Sequence, residues 1–263
     1  MDVLEEIIET KCARVEAVKA VIPEAQLRQE AIDVRRSAKP HALLTALKRG
    51  DRRNIIAEFK RRSPSKGVIR EDADAATIAS SYESAGATAI SVLTEENYFD
   101  GSLNDLRAVR EVVSIPILRK DFIFDEYQVY ESAEAGADAL LLIVAALDDE
   151  TLARLRRLTE DELGMDALVE VHTKGELERA VAIGAKLIGV NNRDLRTFNV
   201  STETSAHLAL FAPADAVLIS ESGLNPDEVG KLQAVGYKGF LVGEALMRAV
   251  DPERQLRVFR GEN

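Results

Sequence analysis

The sequence predicts an α/β fold, a single (β/α)8 TIM barrel with an N-terminal helical extension. Three observations point to it. From Asn54 onward, apolar runs alternate with helical segments without a break, and there are eight such runs; this alternation implies parallel strands buried on both faces. Four segments centred on Gly86, Gly136, Gly184 and Gly236 echo one another at steps of 50, 48 and 52 residues, about two βα units each. Each Gly follows a helix and precedes a strand, where a left-handed helix cap favours Gly. A length of 263 residues also suits one barrel, since such folds take about 250. An open, doubly wound sheet is the alternative, but no Gly-x-Gly-x-x-Gly follows the first strand.

Taken in order, residues 1 to 50 read as helical, with apolar spacing at Leu4, Ile7 and Ile8, then Ala13, Val15 and Val18, and with Pro23 and Pro40 as breaks. This extension is expected to lie across one end of a barrel formed by residues 54–263, the whole making one domain. The strands are expected at 54–59, 89–93, 116–119, 139–143, 166–170, 187–190, 217–220 and 239–242. Helical segments such as 74–85, 102–113, 148–163 and 226–235 separate them.

The chain is 46% hydrophobic and 30% charged, with a net charge of −11. A large core is within reach, and broad binding to nucleic acid or an anionic membrane, which needs a basic face, is excluded. One cysteine, Cys12, leaves no internal disulfide and fits a reducing compartment. No apolar run is long enough to span a bilayer, the start at Met1-Asp2-Val3-Leu4 is no signal peptide, and no zinc-type ligand spacing occurs. The expectation is a cytoplasmic, metal-independent protein, a monomer or weak homodimer.

The stretch Ile55–Gly67 is the most informative. It begins as an apolar strand and runs into a loop, ending in Glu58, Lys60, Arg61, Arg62, Ser63, Pro64, Ser65 and Lys66. Side chains alternate along a strand, so Ile56, Glu58 and Lys60 share one face and Ile55, Ala57 and Phe59 the other. An acid and a base therefore leave the strand together. The pattern recurs at Lys120, Glu170, Asn191, Arg193 and Glu221, each at or just past the end of an apolar run. Active sites of barrels are built at those ends. One such residue reads equally well as a structural ion pair; seven on one rim argue for use, since burying charge is costly.

The loops after the last two strands read Ser220-Glu221-Ser222-Gly223 and Leu241-Val242-Gly243-Glu244. Loops in these positions hold phosphate in many barrels, and Gly lets the backbone approach an anion. Ser63 can add a hydroxyl. Lys60, Arg61, Arg62, Lys66, Arg119, Lys120 and Arg193 are expected around the rim, with Arg61, Arg62 and Lys66 read as solvated surface charges, a local positive field over a negative body that draws small anions. His172 is expected to pack or support rather than react, His41 and His207 to be structural, and Phe122 to stack on a ring or fill the core.

Glu58-Phe59-Lys60-Arg61-Arg62-Ser63-Pro64-Ser65, Leu118-Arg119-Lys120-Asp121-Phe122, Glu170-Val171-His172, Asn191-Asn192-Arg193-Asp194-Leu195 and Ser220-Glu221-Ser222-Gly223 resemble, in order and across essentially the whole chain, the indole-3-glycerol-phosphate synthase family. The resemblance implies a lyase of tryptophan biosynthesis that closes 1-(2-carboxyphenylamino)-1-deoxyribulose 5-phosphate to indole-3-glycerol phosphate, losing CO2 and water, with no organic cofactor or metal because the substrate supplies its own electron sink. By resemblance, Lys120 is the acid of ring closure, Lys60 the acid of dehydration and Glu58 the base. Glu170 then orients Lys120, Asn191 and Glu221 hold substrate hydroxyls, and Arg193 holds Asn191 and the carboxylate region. Ser63, Ser222, Gly223, Gly243 and Glu244 (through its backbone) take the phosphate. Two rivals stand beside this: a Schiff-base aldolase using Lys60 or Lys120, and a phosphate-ligand-binding barrel without activity. A related barrel isomerase would be expected to place Cys and Asp at strand ends, and this chain has neither there.

Overall fold

In a computed structural model, residues 3–50, 52–194 and 197–262 are described. Met1 and Asp2 of the chain start, and Leu195 at the end of its motif, lie outside the described residues. Three helices come first, α1 (Val3–Lys19), α2 (Glu24–Ser37) and α3 (Ala42–Leu47). Then follow β1 (Asn54–Phe59), β2 (Arg62–Ser63), β3 (Gly67–Val68), α4 (Ala75–Ser84), β4 (Ala89–Leu93), α5 (Leu103–Val112) and β5 (Ile117–Lys120). After them come α6 (Glu126–Glu134), β6 (Ala139–Ile143), α7 (Asp149–Arg157), β7 (Asp166–Val171), α8 (Lys174–Ala182) and β8 (Leu187–Asn191). The chain ends with α9 (Glu203–Leu208), β9 (Val217–Glu221), α10 (Pro226–Ala234), β10 (Gly239–Val242), α11 (Glu244–Met247) and α12 (Pro252–Arg260).

Eight of the strands close a parallel barrel in the order β1-β10-β9-β8-β7-β6-β5-β4, with β4 pairing back to β1. Register is set by the alternation of side chains. Ile56, Leu118, Leu141, Leu168, Ile219 and Leu241 fill the barrel interior, while Ile55, Ala57, Phe59, Val92, Leu140 and Val169 pack outward under the helices. The four echoed glycines all have positive φ, between 78° and 109°, as the caps require. Side-chain caps start most of the helices, for example Asp74 on the Thr77 N–H and a reciprocal capping box between Asp125 and Gln128.

Four expectations need correction. The extension does not lie across one end only. Leu4 and Ile7 of α1 face the C-terminal mouth of the barrel, α2 packs along α6, and Leu43 and Leu47 of α3 plug the opposite end. The segment after β1 is not a plain loop, since β2 and β3 form a small antiparallel hairpin. The helix expected over 148–163 gives way at residue 158 to a π-helical turn, Leu158–Glu162, where the Thr159 hydroxyl donates back to the Leu155 carbonyl and loosens the turn. Finally, Arg119 is not at the rim. It alternates with Lys120 and so points outward, 1% exposed, to Thr94, Asp121, Ser132 and the Gln128 carbonyl. Arg61 likewise turns away, into a two-bond pair with Asp105 and over the Phe59 ring.

Candidate active site

The mouth of the barrel opens into a cleft of about 460 Å³. Five of the strands contribute a polar side chain that alternation aims inward near the strand's end. Glu58 comes from β1, with Lys60 just beyond it, Lys120 from β5, Glu170 from β7, Asn191 from β8 and Glu221 from β9. The residues assigned from the sequence to binding the substrate or its phosphate also line this cleft: Ser63, Phe122, Arg193, Ser222, Gly223, Gly243 and Glu244.

Lys120 is the hub. Its ammonium donates to Glu221 and, at 3.1 Å, to Glu170. Burial on its own would favour the neutral amine, but Glu221, Glu170 and Glu58 outweigh it and hold Lys120 protonated well above the ordinary lysine range. The two carboxylates diverge. Burial would raise Glu170, but Lys120 and His172, together with a hydrogen bond from Asn191, bring it below its ordinary value. Glu221 is raised by burial first, is helped only in part by Lys120, and is repelled by Glu170, so that it is pushed up to about 7. One Glu221 oxygen, Oε1, is buried without a hydrogen-bond partner. Two acids on one lysine thus occupy different protonation regimes, the arrangement from which acid and base roles are built.

Lys60 forms a second pair, donating to Glu58 Oε1 at 2.5 Å. Both remain inside the cleft, with side chains 17% and 5% exposed. Backbone space is cut to fit these acids. A Cβ on Gly243 would stand 2.2 Å from Glu58 Oε1, and one on Gly189 would stand 2.2 Å from Glu221 Oε1, so only glycine leaves room for either carboxylate. Gly189 was not singled out from the sequence; the available signal was a lone Gly inside an apolar strand, which marks a close approach.

Orientation is fixed by neighbours. The Arg193 N–H donates to Asn191 Oδ1 at 3.0 Å, leaving the amide NH2 for Glu170. The Arg193 guanidinium donates to the Phe198 carbonyl at 3.2 Å. His172 sits between Glu176, 3.3 Å from Nδ1, and Glu170, 3.5 Å from Nε2. Burial disfavours its charge, yet Glu176 and Glu170 raise it above the ordinary imidazole range.

The cleft has two unlike ends. One is apolar, made by Leu4, Ile7, Leu93, Phe99, Phe122 and Ile143, with the Phe99 and Phe122 rings 6.2 Å apart. Sequence reasoning missed Leu4, Ile7 and Phe99. The other end is polar backbone. Ser222 and Gly223 have φ of 67° and 71°, a sharp bend held by Asn192, whose amide donates to the Ser222 carbonyl and to Ser220 Oγ. Ser63 and the start of α11 face it, and Lys66 approaches Glu244 at 3.9 Å from the β2–β3 hairpin. Among the described residues no group of three or more His, Cys, Asp or Glu could hold a metal ion, and no helix is long and apolar enough to cross a membrane.

A family model described as indole-3-glycerol phosphate synthase matches residues 4–259. The indole-3-glycerol phosphate synthase of Carboxydothermus hydrogenoformans is 47% identical over 260 residues, 97% of this chain and 98% of its own. That of a Nocardioides species is 54% identical over 209 residues, 79% of this chain and 80% of its own. Among solved structures, 3-keto-L-gulonate-6-phosphate decarboxylase from Vibrio cholerae aligns with a TM-score of 0.62 at 18% identity, covering 80% of this chain and 96% of that one. A 3-hexulose-6-phosphate synthase aligns at 0.63 and 17%, covering 79% and 98%. At such identities these two speak for the barrel alone.

Proposed function

The chain belongs to the indole-3-glycerol phosphate synthase family, and from that premise we propose how the cleft carries out the family's decarboxylating ring closure. The carboxyphenyl ring of 1-(2-carboxyphenylamino)-1-deoxyribulose 5-phosphate enters the apolar end between α1 and the Phe99 and Phe122 rings. Its phosphate lies at the other end on Ser63, Ser222, Gly223, Gly243 and the Glu244 backbone, next to Lys66. This orientation brings the C2′ carbonyl to Lys120, the cation beside the aromatic end.

The ring carbon that bears the carboxylate attacks C2′, and Lys120 delivers a proton to the carbonyl oxygen as the C–C bond forms. A protonated Lys120 also stabilises the charge that builds on that oxygen. Loss of CO2 returns the bonding electrons to the ring and restores its aromaticity. Lys60 then protonates the C2′ hydroxyl, which leaves as water, and Glu58 removes the proton from C1′ to complete the pyrrole double bond. Glu170 keeps Lys120 aimed, Asn191 and Glu221 hold the substrate hydroxyls, and Arg193 steadies Asn191.

The observation that carries this reading is Lys120 held between Glu170 and Glu221 in the cleft that has both the aromatic and the anion-binding ends. It also weighs against a Schiff-base aldolase, whose lysine must be a neutral amine, whereas these carboxylates hold Lys120 as the ammonium.

The test uses the absence of tryptophan from the chain. Indole emission from product rises over a tyrosine background when protein and substrate are mixed. Wild type should give a steady rise, and Lys120→Ala should slow it at least about a hundredfold, the worth of a general acid. A Lys120→Ala rate near that of wild type would move the first acid role to Lys60. No turnover by wild type would overturn the synthase reading.

A further inference from the structure

One buried charge cluster is left unused by this chemistry. Lys11 of α1 is only 5% exposed, and its ammonium donates to Asp121 Oδ2 at 2.9 Å and to Glu96 Oε2 at 2.8 Å. Burying a lysine is costly unless it is paired, and a helix laid over a barrel for shielding alone needs no cation on its inner face.

Asp121 is where the end of β5 is held. Its Oδ2 accepts from Lys11, from the Thr94 hydroxyl at 2.6 Å and from Arg119 at 3.0 Å, while Oδ1 accepts from the Phe122 N–H at 2.8 Å. Thr94 returns the contact, its N–H donating to the Lys120 carbonyl at 3.0 Å and its hydroxyl accepting from Arg119 Nε at 3.0 Å. The carboxylate therefore fixes the backbone on both sides, Lys120 before it and Phe122 after. One and two turns before Lys11, at helical spacing on the same face, Leu4 and Ile7 form the apolar wall of the cleft.

We propose that Lys11 is a positioning residue: by latching α1 to Asp121 it seats the apolar wall and holds Lys120 and Phe122 in reacting geometry in one step. The proposal rests on the reaction assigned above, but its structural half does not. Seen this way, α1 belongs to the active site rather than to the packing of the barrel.

The test compares wild type with Lys11→Met, which keeps the stem and removes the charge, with Asp121→Asn, and with Lys11→Met/Asp121→Asn, by hydrogen exchange and by turnover. With circular dichroism showing a folded barrel, Lys11→Met should exchange faster in peptides covering 3–19 and also 118–124, while peptides covering 187–191 and 217–221 stay protected. kcat should fall roughly tenfold to a hundredfold, the cost of a small misplacement of a reacting group, and the double variant should be little worse than the worse of the two single changes. Faster exchange confined to 3–19 with kcat unchanged would overturn the proposal, leaving Lys11 a helix anchor. Equal acceleration in every peptide would also overturn it, as general destabilisation. If wild type fails to turn over the substrate, the assigned reaction falls, and the exchange pattern alone still decides whether the latch exists.

Discussion

The two ends of the barrel treat buried polarity in opposite ways. At the bottom, the Asn54 amide donates to three carbonyls, Leu47 at 2.9 Å, Arg49 at 3.2 Å and Lys238 at 2.9 Å, and its oxygen accepts from Thr88. Asp166 accepts from the Leu44 N–H and pairs with His41. Leu43 and Leu47 seal the space above them. At the mouth, Glu58, Glu170 and Glu221 face two lysines and one another, and Glu221 keeps a buried oxygen without a partner. Polar groups buried for stability are saturated with fixed partners. Those placed for chemistry are balanced against each other, so that a proton or a substrate can change the balance.

The contrast should break most visibly at Glu221. Glu221→Gln is expected to lower kcat by roughly tenfold to a hundredfold, the cost of a loosened hold on a substrate hydroxyl, and to change how stability follows pH. The folded-state value of Glu221, about 7, lies above its ordinary 4.5. Its stabilisation therefore belongs to the protonated form, full below 4.5 and lost as pH rises through about 7. The melting temperature of wild type minus that of Glu221→Gln should fall from pH 5 to pH 8; a flat difference would place Glu221 among the ordinary carboxylates.

At the other end, Leu47→Ala should cost about 2–5 kcal/mol in denaturant unfolding and leave kcat intact at a temperature where the variant is folded. An activity loss comparable to that of Glu221→Gln would mean that the two ends are not independent. His172→Asn should give the smallest change. With the imidazolium gone, Glu170 loses a neighbour that lowers it, so the acidic limb of the kcat/KM profile should move to higher pH by a fraction of a unit. An unmoved limb would leave His172 as packing.

Much of this is legible in the sequence because barrels put chemistry at predictable places. The period of two along β1 is enough to pair Glu58 with Lys60, and the glycine echo marks the turns from helix to strand. The same rule, applied one residue further, separates Arg119 from Lys120: neighbours on a strand face opposite sides, and Arg119 belongs to the layer under the helices. Two things were beyond reach. Leu4 and Ile7 carry the same apolar spacing whether the face covers a core or a ligand. Gly189 has meaning only beside Glu221, 32 residues later in the chain, and neighbourhood between strands is set by closure.

Closure also has a consequence for how the protein is made. The first barrel strand pairs with the last, Asn54 beside Gly239, and the α3 plug rests on side chains from Leu168, Leu187, Val217, Ile219 and Leu241. When the N-terminal helices leave the ribosome, most of what they will cover does not yet exist. Helix α3 and one edge of strand β1 must therefore wait, with apolar faces open, until nearly the whole chain has been synthesised, whereas α1 and α2 meet Glu96, Asp121 and α6 by its middle. Contacts so distant in sequence form slowly, which leaves the apolar face of α3 open the longest during synthesis.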